Sequence, residues 1–342
     1  MTDSRLRDHL LGIGAAESEL GGLSENDMIG LAGDIQISRG LDLSLEELAD
    51  RCGMSVERVT ALYNSFGLDA DRLAGFGEGD IRMLMLMLAD DLGLVDQVGA
   101  ELFRVAGRSL RRMAEAAIAI YVQDIESHPD QQGADLIELA EMNAAASQLA
   151  VDFGDTLGTI FRHHMWTAVR DQRTGQPGDG PPELIGAGIG FVDLVGFTPL
   201  SRSLSPGELM ELVGEFEQRA FEVAGQHGGQ IVKSIGDEVM IAAPDHATVI
   251  AIVVALVSSF ADDPAIRPCA GVTAGQVVFR LGDYYGPLVN LASRLVDIAE
   301  PGEVLTDRGA TESDSDLISL RPAGQRTLKG FDEPVDVWLA EY

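Results

Sequence analysis

The sequence predicts two domains of different fold class, an all-α domain in the N-terminal half and an α+β domain in the C-terminal half. Residues 171–182 read DQRTGQPGDGPP, a glycine- and proline-rich stretch that is typical of a connector. Before it, apolar residues recur at helical spacing; after it, short β-rich runs alternate with helical runs. We therefore expect domains at residues 1–170 and 183–342, joined by a linker at 171–182.

The N-terminal half contains one recognisable local pattern, a predicted helix, turn and helix over residues 43–68. Leu45, Leu48 and Ala49 recur at helical spacing, and Val56 and Val59 continue the pattern after the turn. A transcription regulator is therefore an alternative function. We favour a packing role, because DNA-binding proteins need a net basic face and the second predicted helix carries no such face.

A second feature of this half is the methionine-rich run at residues 81–88, IRMLMLML. It is apolar on most sides of a helix, which favours a buried core helix. Methionine-rich surfaces also adapt to apolar ligands, so an apolar effector such as a lipid is a secondary hypothesis.

The C-terminal half is predicted as α+β from six segments in alternation. The β-rich runs are residues 189–195, 230–235, 239–243 and 270–278. The helical runs are residues 206–224 and 247–260.

Composition limits the partners that we expect. The net charge of −31 repels phosphate backbones and anionic membrane surfaces, so we expect neither nucleic acid nor membrane as a partner. The sequence has neither an apolar run of about 18 residues nor a secretory signal pattern, and we expect a cytoplasmic protein. Cys52 and Cys269 lack metal-binding spacing and are predicted to be buried, reduced thiols.

Lysine is unusually rare in this chain. Of the 24 basic residues, only Lys233 and Lys329 are lysines. Either base-composition bias left two lysines by accident, or both positions need a compact ammonium that the planar guanidinium cannot replace.

Two aspartates lie where strands are predicted to end. Asp193 closes an apolar strand just before a glycine turn, and Asp237 lies in a Gly-Asp turn between two β-rich runs, as at the tip of a hairpin. Two such acids on adjacent strand ends could share divalent cations, because Mg²⁺ takes one or two protein carboxylates and completes its shell with phosphates and water. Either acid alone is weak evidence, since an aspartate in a turn often bonds its own backbone.

A third block, residues 282–294, is a glycine turn followed by a predicted helix. Asn290 and Arg294 lie one helical turn apart and therefore share a helix face. A fourth block, RTLKG at residues 326–330, by itself predicts only a turn between two strands.

Taken together, these four blocks resemble the catalytic domain of class III adenylate cyclases, in that family's order and over residues 183–342. The resemblance implies a ferredoxin-like βαββαβ core with added strands. It implies that Asp193 and Asp237 hold two Mg²⁺ or Mn²⁺ ions per active site, and that Phe197 packs near the nucleotide.

The resemblance also assigns the remaining residues of the blocks. Lys233 and Asp283 match the pair that reads the adenine edge of ATP, and Asn290 and Arg294 match the pair that positions the ribose and stabilises the transition state. Lys329 matches a lysine that contacts the triphosphate. Both lysines of the chain thus fall on family lysine positions.

The activity implied is conversion of ATP to 3′,5′-cyclic AMP and pyrophosphate, by attack of the ribose 3′ oxygen on the α-phosphate. In this family the acids and the purine-reading groups meet across a subunit interface, so the resemblance implies a head-to-tail homodimer. Guanylate cyclases of the family carry Glu and Cys where this chain has Lys233 and Asp283, which disfavours GTP. A diguanylate cyclase is the other alternative, suggested by the Gly-Asp-Glu sequence at 236–238, but it leaves residues 283–294 without a counterpart.

The N-terminal half resembles the helical regulatory domain of actinobacterial, pH-responsive cyclases, which implies control by protons or by an apolar ligand. His163 and His164 lie in a predicted helix just before the connector. Since the unperturbed histidine pKa of about 6.5 lies near physiological pH, this pair is a candidate proton switch.

Overall fold

The computed structural model describes residues 2–89, 99–121, 135–174, 184–263, 266–308 and 318–341. The chain forms two compact units, Met1–Gly175 and Gln176–Tyr342. Each unit has its own hydrophobic core, as expected for chains of this length.

The first unit is helical. Its α-helices are α1 (Thr2–Ile13), α2 (Glu25–Ile37), α3 (Leu45–Cys52), α4 (Val56–Ser65), α5 (Glu78–Leu88), α6 (Ala100–Tyr121) and α7 (Leu136–Thr174). A short 3₁₀ turn at Ala70–Arg72 precedes α5.

The predicted helix, turn and helix is present as α3 and α4. Ser44 and Ser55 cap the two helices by accepting backbone N–H bonds from the third residue of each helix, and Gly53 ends α3 in the left-handed conformation. On α4, Val59 and Tyr63 face the core, and the ring of Phe66 stacks on Phe103 of α6 at 4.7 Å. The second helix of the pair is thus packed within this unit on one side.

The methionine-rich run forms α5, but its burial differs from the expectation. Leu84 is fully buried, whereas Met85, Leu86 and Leu88 are 48%, 76% and 44% exposed. Within the part of the chain that the structure describes, the prediction of a helix buried on most sides is therefore wrong. Only one face of α5 meets the core of α3 and α4.

Helix α7 is 39 residues long, and its first part packs closely on α2. The amide of Asn143 donates to the backbone carbonyl oxygens of Ile29 and Gly30, at 2.8 and 3.3 Å, and a side chain at Gly33 would collide with Asn143. The helix continues through Thr174, so the first four residues of the predicted linker are helical. Within the predicted linker, glycine and proline, which favour a helix end, occur only from residue 175 onward. The rest of that linker, 175–182, lies outside the described residues.

The second unit is a mixed α+β domain. Its strands are β1 (Leu184–Leu194), β2 (Gln230–Ile235), β3 (Glu238–Ala243), β4 (Pro268–Arg280), β5 (Asp283–Tyr285), β6 (Val304–Thr306), β7 (Ser319–Arg326) and β8 (Val335–Glu341). Its helices are α8 (Phe197–Ser201), α9 (Pro206–Gln226), α10 (His246–Ser258) and α11 (Pro287–Val296).

The core of this unit has the expected ferredoxin-like βαββαβ topology. Strands β2, β3, β1 and β4 lie in that order, and each neighbouring pair is antiparallel. Helix α9 connects β1 to β2, and α10 connects β3 to β4. The added strands extend the sheet: β6 pairs with β4 in parallel, β8 and β7 follow, and β5 forms a hairpin with β4.

Alternation along the strands divides the core between the two faces of the sheet. In β3, Val239 and Ile241 join the cluster under α9 and α10, while Met240 and Ala242 join the cluster under α11. Cys269 of β4 is a buried free thiol in the second cluster, and Cys52 is likewise buried and free, as expected.

Helix α11 approaches the sheet closely at Gly271, near the start of β4. A β-carbon at this position would lie 2.2 Å from the carbonyl oxygen of Ala292 and 2.7 Å from Cβ of Leu295. The absence of a side chain at Gly271 therefore lets the helix backbone rest directly on the strand.

No helix in the described part of the chain combines the length and the apolar character that a membrane crossing requires.

Candidate active site

Asp193 lies near the end of β1, where the strand leaves the sheet. Its register partners are Glu238 of β3 and Cys269 of β4, so it lies between two strands. Gly196 follows with a φ of 77°, a left-handed conformation that begins the short helix α8. The apolar strand followed by a glycine turn thus fixes the backbone on both sides of this carboxylate.

Asp237 lies in the tight turn between β2 and β3, next to Gly236, whose φ of 67° also favours glycine. The adjacent Glu238 pairs with Asp193 across the strands. The predicted hairpin with an acid at its tip is present, and it brings Asp237 to Asp193.

Neighbouring acids at this strand end raise the pKa values of Asp193 and Glu238. Burial raises the pKa of Asp193 to about 6, and the neighbouring charge of Asp237 adds to the effect. Burial likewise raises the pKa of Glu238 to about 7, with contributions from Asp193, Asp297 and Asp237. Burial and the negative charges of neighbouring acids thus both disfavour the ionised form of these carboxyl groups.

This arrangement fits a divalent cation. Repulsion by the negative charge of Asp237 contributes to the raised pKa of Asp193, and a cation between the two carboxylates would relieve that repulsion. Among the described residues, no group of three or more His, Cys, Asp or Glu side chains forms a ready-made metal site. A cation held here would therefore depend on substrate phosphates and water for the rest of its ligands, as Mg²⁺ commonly does.

Lys233 and Asp283, which are 50 residues apart in sequence, form an ion pair. The ammonium group of Lys233 on β2 donates to both carboxylate oxygens of Asp283 on β5, at 2.9 and 2.6 Å. The backbone N–H of Tyr284 also donates to Asp283, at 2.8 Å. Both side chains are about one third exposed, so the pair is fixed in position and still reachable from solvent.

Helix α11 carries Asn290 and Arg294 one turn apart, as predicted from their spacing. Asn290 is exposed, and the backbone on the other side of the helix rests on Gly271. Arg294 Nη1 donates to the carboxylate of Asp297 at 2.6 Å. The contact with Gly271 thus fixes the position from which α11 presents the amide of Asn290 and the guanidinium of Arg294.

Lys329 is exposed in the turn between β7 and β8, directly after Leu328, which is 2% exposed. Leu328 packs in a cluster with Leu291 and Leu295 of α11, so one apolar core supports both the lysine turn and the helix. Phe197, the first residue of α8, is partly buried against the main core.

Two residues near this site carried no sequence-based assignment. Glu238 stands within the hairpin motif, and its position opposite Asp193 follows only from the strand register. Asp297 follows Arg294 by three residues, a helical spacing that could have indicated the ion pair. His163 and His164 lie in the first unit on α7, where both are exposed.

Comparison with known proteins places these observations in a family. Residues 185–341 match the family model described as the adenylate and guanylate cyclase catalytic domain. An adenylate cyclase of Streptomyces coelicolor is 32% identical over 81% of this chain and 72% of its own length. An uncharacterised protein of Mycobacterium tuberculosis is 33% identical over 90% of this chain and 82% of its own length.

A third relative is a pH-sensitive adenylate cyclase of Mycobacterium tuberculosis, 30% identical over 85% of this chain and 76% of its own length. These matches extend beyond the catalytic unit into the helical half. The chain therefore belongs to the adenylate and guanylate cyclase family, and within it to the class III adenylate cyclases.

Proposed function

We propose that the chain converts ATP to 3′,5′-cyclic AMP and pyrophosphate, at sites that form between two copies in a head-to-tail homodimer. The observation that carries this proposal is the Lys233–Asp283 ion pair in a cyclase domain whose acids meet at the end of β1. Cyclisation needs no protein nucleophile, so positioning and electrostatics account for most of the catalysis.

Asp193 and Asp237 hold two Mg²⁺ or Mn²⁺ ions in this proposal. Bound there, the ions supply positive charge that favours loss of the proton from the ribose 3′ hydroxyl and that neutralises the triphosphate. The protein contributes a rigid hairpin and strand end, which keep the two carboxylates together before the substrate arrives.

Lys233 and Asp283 read the base. Adenine offers its exocyclic amine to the carboxylate and a ring nitrogen to the ammonium. Binding of adenine therefore replaces part of the hydrogen bonding between Lys233 and Asp283 with hydrogen bonds to the base. Guanine presents an acceptor and a donor in the reverse order. A mismatch of this kind disfavours GTP strongly, because the polar groups of the site are left unpaired.

Asn290 positions the ribose, Arg294 meets negative charge that develops at the phosphate in the transition state, and Lys329 contacts the triphosphate. A guanidinium that binds mainly the transition state raises turnover rather than substrate affinity. Phe197 packs near the nucleotide from the start of α8.

The test is subunit complementation with purified full-length protein, ATP and Mg²⁺ or Mn²⁺. Asp193→Ala and Asn290→Ala should each be inactive alone, because each removes one half of every site. Mixed under conditions of subunit exchange, they should recover about a quarter of wild-type activity, since half of the dimers then hold one intact site.

The matched control is a mixture of Asp193→Ala with Asp237→Ala, which should stay inactive because every site then lacks one acid. Recovery in that control, or none in the first mixture, overturns the shared-site arrangement. Wild-type protein that forms no cyclic AMP from ATP, or that prefers GTP, overturns the proposed reaction.

We also propose that the helical unit regulates the catalytic unit in response to pH, through His163 and His164. The similarity to a relative named for pH sensitivity, which extends into this unit, supports the proposal. Both imidazoles are exposed on α7.

A further inference from the structure

The ion pair between Arg294 and Asp297 is the starting point. Asp297 is the residue directly after α11, and its carboxylate accepts a hydrogen bond from Arg294 Nη1 at 2.6 Å. The two side chains are 37% and 55% exposed. An ion pair as exposed as this one contributes little to folding stability, typically about 0 to 1 kcal/mol.

The place of Asp297 is also unfavourable for the helix itself. The C-terminal end of a helix carries partial negative charge, so an aspartate there opposes the helix dipole. The backbone N–H groups at this end are satisfied within the helix, because the N–H of Asp297 donates to carbonyl oxygens of the last turn. Helix stability therefore gives no reason for a carboxylate at this position.

The end of α11 lies beside the strand that neighbours Asp193. The thiol of Cys269 contacts the carbonyl oxygen of Val296 at 3.9 Å, and Cys269 is the register partner of Asp193. The negative charge of Asp297 is also one of the causes that raise the pKa of Asp193. Asp297 thus lies within electrostatic reach of Asp193 of the same chain.

The contact with Asp297 uses one edge of the guanidinium. Arginine has five N–H donors in a fixed plane, and the hydrogen bond to Asp297 involves Nη1. A guanidinium held at one edge loses rotational freedom while its other donors can meet a phosphate.

We propose that Asp297 is a positioning residue, which orients Arg294 for the transition state of cyclisation. This inference rests on the proposed role of Arg294 in the reaction. Asp297 acts through the guanidinium and does not contact the substrate.

The test is a double-mutant cycle in the full-length enzyme with Arg294→Ala, Asp297→Asn and the double variant. Asp297→Asn should lower kcat about tenfold and change KM for ATP less than about twofold, as for other partners that orient a catalytic group. In the Arg294→Ala background the same substitution should cause no further loss, because its effect passes through the guanidinium. Asp297→Glu should restore part of kcat.

Glu300→Gln is the matched control. It removes the same charge three residues further along, from an exposed position, and should leave kcat unchanged. Unfolding midpoints in urea establish that each variant is folded, and a purely structural role for Asp297 would lower the midpoint of Asp297→Asn together with its kcat.

The outcomes separate the inference from the proposal beneath it. An Arg294→Ala enzyme with normal kcat contradicts the proposed role of Arg294. An impaired Arg294→Ala enzyme in which Asp297→Asn causes its full loss again, or an Asp297→Asn enzyme with normal kcat, overturns the positioning role alone.

Discussion

Gly271→Ala should displace α11 from the sheet and reduce catalysis far more than it reduces stability. The added β-carbon would lie 2.2 Å from the carbonyl oxygen of Ala292, whereas a carbon and a carbonyl oxygen normally come no closer than about 3.3 Å. The contact is with helix backbone, so no side chain can rotate out of the way. The helix must therefore move by about 1 Å, and Asn290 and Arg294 move with it.

A misplacement of about 1 Å in catalytic groups can cost about 10²-fold in rate. Overpacking of this size costs about 1–3 kcal/mol in unfolding free energy. We expect kcat to fall 10- to 100-fold, while the protein remains folded in urea titrations. The metal dependence should change little, because Asp193 lies on β1 and Asp237 lies in the turn between β2 and β3, neither of which α11 carries.

The control is Gly214→Ala on α9. Nothing lies within 4 Å of a β-carbon at that position, and alanine favours the helix, so stability should rise slightly and kcat should be unchanged. If Gly271→Ala keeps wild-type kcat, the position of α11 is not set by its contact with Gly271, and the reasoning is refuted.

Three further predictions concern pH and base choice. Asp193 ionises with a folded pKa of about 6 against an ordinary value of 3.8, so its ionisation destabilises the fold as pH rises through that range. Asp193→Asn should therefore be more stable than wild type in metal-free urea unfolding at pH 7, by about 1 kcal/mol after solvent screening, and no more stable at pH 3.5; an equal gain at both values contradicts this. Lys233→Glu combined with Asp283→Cys should lower kcat/KM for ATP about 100-fold more than for GTP, because the donor and acceptor matched to adenine are gone; an unchanged ratio would mean that the base is read elsewhere. His163→Ala with His164→Ala should flatten the pH profile of the full-length enzyme toward that of residues 183–342 alone; a retained wild-type profile assigns proton sensing to other groups.

Much of the catalytic unit follows from its sequence. Strand β2 was predicted at its observed bounds and α9 at its observed start, because apolar β-branched runs and a Ser-Pro helix start are strong local signals. The shared helix face of Asn290 and Arg294 followed from spacing alone.

The remaining features depend on contacts that no local pattern encodes. The Lys233–Asp283 ion pair joins strands from distant parts of the sequence, and the resemblance, which assigns both residues to the adenine edge, does not imply a direct contact between them. The exposure of Met85 and Leu86 on α5 differs from the prediction because hydrophobicity predicts burial only where another element covers the helix. Helix α7 extends beyond its predicted end because residues 171–174 are polar but include no glycine or proline that would end the helix.

The rarity of lysine gives this enzyme a distinctive response to amine-acylating reagents. Its two side-chain amines are Lys233, held in an ion pair and about one third exposed, and Lys329, exposed in a turn. Acylation of side chains should therefore reach Lys329 first and Lys233 more slowly, and both events remove charge from the proposed nucleotide site. Coupling the protein to a surface through lysine would attach it by that site, whereas coupling through its abundant carboxylates offers attachment points across the molecule.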